Sequence, residues 1–290
     1  MNAHRFRRIR LALALGVAWG VNAQSLPMEP PHFSGTSITG ALEGWFANAD
    51  GTFSMLLGYL NRNTKEELDI PIGPNNRIDP DGPDHGQPTH FLPGRMWGEF
   101  VIKVPKDFGD KKYTWTIVAN GKTTVIPLNL ATDWEVSPFE DATHNMPPYI
   151  GFSETGPFVN GPAGQSTSLT TTTASALPLT VWVADDANTV PGMQRPRGPA
   201  VTLFWSKFRG PGSVVFSNER PVAEKAEFKA PPKTIFQGKA TTTATFAEPG
   251  EYVLRVVAND WTRDGGGGFQ CCWTNAQVKV KVTPGPTGGR

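Results

Sequence analysis

The sequence predicts an all-β protein built as two β-sandwich domains behind a cleaved export signal. Three observations carry that prediction. Apolar side chains alternate with a period of two, most fully at Tyr252, Leu254, Val256 and Ala258, while Glu251, Arg255 and Asn259 fall on the opposite face. Gly (31) and Pro (27) punctuate runs rich in Thr, Val, Phe and Trp, and long helical patterns are scarce. A length of 290 residues suits two domains of about 100 to 130 residues each once the leader is removed.

The leader is residues 1–23. Arg5, Arg7, Arg8 and Arg10 form a positive start, residues 11–21 are apolar, and Val21-Asn22-Ala23 offers small residues for cleavage ahead of Gln24. The apolar stretch is about half the ~20 residues that cross a bilayer, so the mature chain is expected to be exported, periplasmic or extracellular, and not membrane-spanning. Arg7-Arg8 lacks the neighbours of a twin-arginine signal, which favours general secretion, and no cysteine stands at the cleavage site to take a lipid.

The first domain is expected over 24–136. Strands at 38–47 and 52–60 flank Asn48-Ala49-Asp50-Gly51, whose Asp-Gly step supplies the positive φ of a hairpin. A strand at 97–104 puts Phe100, Ile102 and Val104 on one face. Strands at 113–119 and 123–128 flank Asn120-Gly121, the strongest short-range hairpin signal in the chain. Between them, 71–93 is longer than a plain connection needs and carries Asp79, Asp81, Asp84, His85 and His90. Its carboxylates suggest calcium and its histidines a transition metal, but only Asp79 and Asp81 match a calcium-loop spacing and prolines interrupt it. A solvated, proline-stiffened loop is the plain alternative.

Residues 137–165 read as a connector in which Pro and Gly exclude regular structure, while Phe139, Tyr149, Phe152 and Phe158 are expected to pack along a domain or to stack sugar rings. The second domain is expected over 166–284, followed by a disordered tail at 285–290. Its strands fall at 166–173, 179–183, 201–205 (Val201, Leu203 and Trp205 on one face), 214–217, 242–246, 251–260, and a last one where Val278, Val280 and Val282 alternate with Lys279 and Lys281. Pro249-Gly250 marks a hairpin or a sandwich corner.

Trp205, Gly210-Pro211-Gly212, Thr243 to Phe246, Pro249-Gly250-Glu251-Tyr252 and Val256 to Asp260 resemble bacterial extracellular PKD-type and related immunoglobulin-like modules. The resemblance implies a core role for Trp205, a corner-capping role for Tyr252, and no inter-sheet disulfide, since Leu254 stands where antibody domains place a cysteine. It also implies adhesion, contact with a protein or glycan, or a spacer role.

Against that pattern, sixteen residues, 260–275, replace a short loop between the last two strands. Trp261, Arg263, Phe269 and Trp273 are residue types favoured as interface anchors, and with Cys271 and Cys272 they make the binding-site candidate. The adjacent cysteines admit a vicinal disulfide, two thiols with one buried, metal or redox chemistry, or an intermolecular bridge.

Charge also divides the chain: residues 24–168 hold 9 basic and 17 acidic residues, whereas 169–284 hold 13 basic and 9 acidic. The halves are expected to attract one another or different partners, unless both surfaces are simply solvated. Neither half has the concentrated basic stripe of a nucleic-acid binder. With four histidines after the leader and no Gly-x-Ser-x-Gly, His-Glu-x-x-His or phosphate-loop pattern, the sequence points away from an enzyme and from a required cofactor. Non-catalytic binding, adhesion or scaffolding is the expected function. The alternatives are a metal-dependent or redox protein using Cys271 and Cys272, and a spacer without a ligand.

Overall fold

A computed structural model of the chain describes residues 32–187, 198–262 and 271–285; the expected leader and all but Gly285 of the tail lie outside them. The all-β expectation holds: the described residues form strands and one short 3-10 turn, Thr132–Trp134.

In the first sandwich, β1 (Ile38–Ala47), β2 (Phe53–Asn61) and β6 (Gly94–Val104) form one antiparallel sheet, and β4 (Asn76–Asp79), β7 (Tyr113–Ala119) and β8 (Lys122–Leu128) form the other. The two-residue strands β3 (Leu68–Asp69) and β5 (His90–Phe91) pair beside them. Both turn signals do what their chemistry requires. Gly51 takes φ 80° between β1 and β2, and Asn120 and Gly121 take φ 48° and 74° between β7 and β8. The inward positions, among them Met55, Leu57, Ile102, Trp115 and Ile117, close a core between the sheets.

The second sandwich packs β13 (Val214–Phe216), β15 (Phe236–Phe246), β11 (Leu177–Asp185) and β9 (Tyr149–Gly151), with β14 (Glu224–Lys225) on β15, against β10 (Gln165–Thr172), β17 (Trp273–Thr283), β16 (Gly250–Asn259) and β12 (Thr202–Arg209). This is the immunoglobulin strand order: β9, β11, β15 and β13 stand as A, B, E and D, and β12, β16 and β17 as C, F and G, with β10 added parallel to the last. Strand β9 comes from the segment read as a connector. Pro249-Gly250 is a corner rather than a hairpin, because β15 and β16 belong to different sheets. Tyr252 locks that corner: its hydroxyl donates to the Glu248 carbonyl (2.8 Å) and accepts from the Gly212 N–H (3.1 Å). Trp205 and Leu254 are core residues, as the resemblance implies.

The sandwiches meet through their inner sheets. The face of β16 opposite its own core is covered too: Val253, with Phe208 of β12, joins the first core, and Val257, Phe204 and Trp273 pack with Leu56 and Val101 of the first sandwich. Four sheets are thereby stacked in one unit.

Candidate functional site at the sandwich junction

The peptide Cys271 to Asn275 is where the sandwiches are held together. Cys271 and Cys272 form a vicinal disulfide, which selects one of the four states that the sequence left open. Both cysteines are buried, and their sulfurs lie 3.9 and 3.4 Å from the Asn145 carbonyl oxygen. The Asn145 side-chain amide donates to Asp260, whose other oxygen accepts from Thr262 N–H (2.8 Å) and hydroxyl (2.6 Å).

Of the next three residues, Trp273 and Asn275 reach the first sandwich and Thr274 ties down the segment 137–165. The Trp273 indole, 0% exposed, covers Gly98 and donates to its carbonyl (3.4 Å). Thr274 accepts from Gly161 N–H (2.9 Å) and donates to the Pro148 carbonyl. The Asn275 amide donates to the carbonyls of Gly98 (2.7 Å) and Pro162 (2.9 Å), and its oxygen accepts two hydrogen bonds from Arg255 (3.0 and 2.7 Å). Arg255 pairs with Glu99 of the first sandwich at 3.0 Å, both almost wholly buried. A buried pair is tolerable only where hydrogen bonds satisfy both partners, and Asn275 supplies part of that satisfaction.

The binding candidate from the sequence is thus divided. Trp273 is buried against the first sandwich, and Cys271 and Cys272 are buried beside Asn145. Trp261 is half-buried at the tip. Arg263 and Phe269 lie outside the described residues.

The long loop before β6 is also a junction piece. Its charged groups find partners in different directions: Asp79 pairs with Arg77, Asp81 accepts from the Tyr113 hydroxyl (3.0 Å), His85 meets the Pro80 carbonyl (3.0 Å), and His90 meets Asp69 (2.9 Å). Asp84 takes the Arg209 guanidinium in a two-pronged pair (3.0 and 2.8 Å), and that hydrogen bond first of all holds its carboxyl below the usual range. Arg209 also donates to the Gln87 carbonyl (2.8 Å), and Thr89 N–H to the Phe208 carbonyl (3.1 Å), so the loop caps the edge of β12. Among the described residues, no three His, Cys, Asp or Glu side chains are grouped to hold a metal ion.

Beside this clasp, a cleft of about 590 Å³ opens between the sandwiches. Its polar wall is a chain of charges: Lys207 donates to Asp69 (2.9 Å) and to the Gly212 carbonyl (3.1 Å), and His90 lies between Asp69 and Glu67, 3.3 Å from the latter. Its apolar wall includes Met96, Phe204 and Phe216. Burial pushes the Asp69 carboxyl up, but the His90 and Lys207 hydrogen bonds outweigh it and hold Asp69 below its ordinary value. Asp69 is therefore a fixed counter-ion, suited to orienting Lys207 and His90 rather than to taking up a proton. The charge chain escaped the sequence reading because Lys207 stands 138 positions from Asp69, and only the packing of β5 against β12 unites them.

No family model matches the chain, and no curated protein matches it in sequence. Among solved structures, it is similar to the D00-D0 domain of intimin (12% identity, TM-score 0.25, covering 84% of this chain and 99% of that one). A protein of unknown function from Porphyromonas gingivalis W83 matches at 10% identity and TM-score 0.23, over 84% of this chain and 99% of that one. Cadherin-like domains 1 to 4 of zebrafish RET match at 14% identity and TM-score 0.24, over 77% of this chain and 46% of that one. The immunoglobulin-like assignment rests on strand order and the tyrosine corner, not on these distant likenesses.

Proposed function

We propose that the chain is an exported, non-catalytic binding, adhesion or scaffolding protein, whose fused sandwiches present a protein or glycan ligand with the junctional cleft and the half-buried Trp261 at the tip. One observation supports this above the rest: the cleft draws its walls from both sandwiches, Glu67, Asp69 and Met96 from one and Phe204, Lys207 and Phe216 from the other. Clefts between packed domains are where ligands are commonly seated, and a junction fixed by buried contacts keeps such a seat in shape.

The test is binding of the mature protein to arrayed glycans and to purified envelope proteins, repeated with Met96→Ala, Phe216→Ala and Trp261→Ala. The reading expects capture lost in at least one variant at an unchanged melting temperature. Equal capture by all three, or hydrolysis of an arrayed glycan, would refute it. A second reading, a spacer with no ligand of its own, gains from the burial of Trp273 and both cysteines, and it predicts no capture by the parent protein.

A further inference from the structure

Strand β10 reads Gln-Ser-Thr-Ser-Leu-Thr-Thr-Thr, with no charge and no proline along its 8 residues. It is the outermost strand of its sheet, whose order is β10, β17, β16, β12, and β17 is its one strand partner among the described residues. The pairing is parallel and runs without a bulge from Gln165 beside Ala276 to Thr172 beside Thr283. Thr173 N–H donates to the Thr283 carbonyl (3.0 Å), so along this ladder the odd-numbered residues turn their N–H and C=O groups toward β17. Those of Ser166, Ser168 and Thr170 therefore point away from the sheet. All three residues are exposed, and so is Leu169, the strand's one large apolar side chain, at 36%.

An unpaired strand edge is a template for another strand, and other long edges among the described strands are guarded against it. Strand β1 carries a bulge and Glu43, and β6 a bulge with Arg95, Glu99 and Lys103. Strand β8 carries Lys122 and Pro127, and β12 is capped by the long loop before β6. Strand β10 has none of these devices.

An extended segment fits such an edge, and the composition of β10 favours an identical one. Two copies related by a two-fold axis meet antiparallel, and an uncharged strand brings no like charges opposite one another. With the axis at Leu169, Ser168 and Thr170 of one copy exchange N–H to C=O bonds with Thr170 and Ser168 of the other, and the two leucines stand directly opposite. Lys279 and Lys281 of β17 lie in register with Ser168 and Thr170. They would stay about 14 Å, three strand spacings, from their counterparts, beyond the screening length of physiological salt.

We propose that β10 is a self-association edge: two copies join β10 to β10 into one sheet that is continuous across both, and assembly closes at two because the opposite edge of each sheet, at β12, is capped. A strand edge buries less surface than a standard interface, so the dimer is weak, with a dissociation constant on the order of 10–100 µM. This contact is independent of the ligand cleft between the sandwiches.

The test is sedimentation equilibrium of the mature protein over protein concentrations that span that range. Dimers are expected at the upper end. Ser168→Pro removes an outward N–H and leaves the ladder to β17 whole, so it should weaken the dimer at least about tenfold at an unchanged melting temperature. Leu169→Lys sets like charges opposite and should weaken it similarly, with recovery in high salt. A parent that stays monomeric throughout, a parent that assembles beyond the dimer, or a dimer that survives both substitutions would overturn the proposal. Should Ser168→Pro not fold, Leu169→Lys alone decides.

Discussion

Replacing Gly98 by Ala should damage the junction far more than one methyl group ordinarily does. An added Cβ would lie 2.0 Å from Trp273 Cζ2, 2.6 Å from Cε2 and 2.9 Å from Nε1. The indole is wholly enclosed and has nowhere to retreat. Residue 98 also sits at φ 50°, where a residue with a Cβ pays about 1–2 kcal/mol. Forcing extra volume into a packed interior adds about 1–3 kcal/mol. A displaced indole weakens a further hydrogen bond, worth about 1 kcal/mol. The combined cost is roughly 3–6 kcal/mol, or a fall in melting temperature of about 6–20 °C for a chain of this size. Gly51→Ala is the control, since Gly51 has φ 80° but open space around its Cβ position, so it should lose only the backbone share. Urea unfolding of both variants, with Trp273→Leu added to make room, separates clash from backbone: the leucine should recover part of the Gly98→Ala loss and none of the Gly51→Ala loss. If Gly98→Ala costs no more than Gly51→Ala, the packing of Trp273 on Gly98 is refuted.

Trp273→Ala should cost about 3–5 kcal/mol in urea unfolding, as for other enclosed aromatic residues, whereas the half-buried Trp261 should cost clearly less. Because both cysteine sulfurs are covered, dithiothreitol and an alkylating reagent should leave the intact mass of the native protein unchanged and add two labels once denaturant is present; rapid labelling of the folded protein would contradict the burial. Tyr252→Phe removes a donor to Glu248 and an acceptor for Gly212, and should lower stability by about 1–2 kcal/mol with the fold retained by circular dichroism. Asp69 and Asp84 both have carboxyls held below their ordinary values, so their share of the clasp is present above the normal aspartate range and fades as pH falls through the lowered values. Exposed as they are, Asp84→Asn should cost under about 1 kcal/mol, and less in high salt.

Local chemistry made much of the fold legible. The hairpins at 48–51 and 120–121, the corner at Tyr252 and the buried faces of β6, β12 and β17 each follow from a few neighbouring residues. The two-residue strands β3, β5 and β14 carry too little pattern to be seen. The covered outer face of β16 was harder for a different reason. A period of two identifies one buried face, and the hint of a second lies only in Val253 and Val257, which interrupt the polar side otherwise marked by Glu251, Arg255 and Asn259. Trp273 misled because it follows a glycine run and so resembles a loop anchor. Its true setting depends on Gly98, 175 positions away, and no local signal expresses that pairing.

The charge division of the chain takes on a structural meaning at this junction. Among the described residues, three ion pairs cross it, Asp69 with Lys207, Asp84 with Arg209 and Glu99 with Arg255, and in all three the acid belongs to the first half and the base to the second. The two outer pairs are partly exposed and add little stability each, and the inner one must offset the cost of burying both charges. Their common polarity bears more on which surfaces can meet. Two copies of the acidic first half would set Asp69, Asp84 and Glu99 against one another, and an unpaired Glu99 or Arg255 could not remain enclosed without a large penalty. Only the heterologous contact satisfies both. Gly98 and Trp273 then supply the close fit that converts permitted contact into a fixed one.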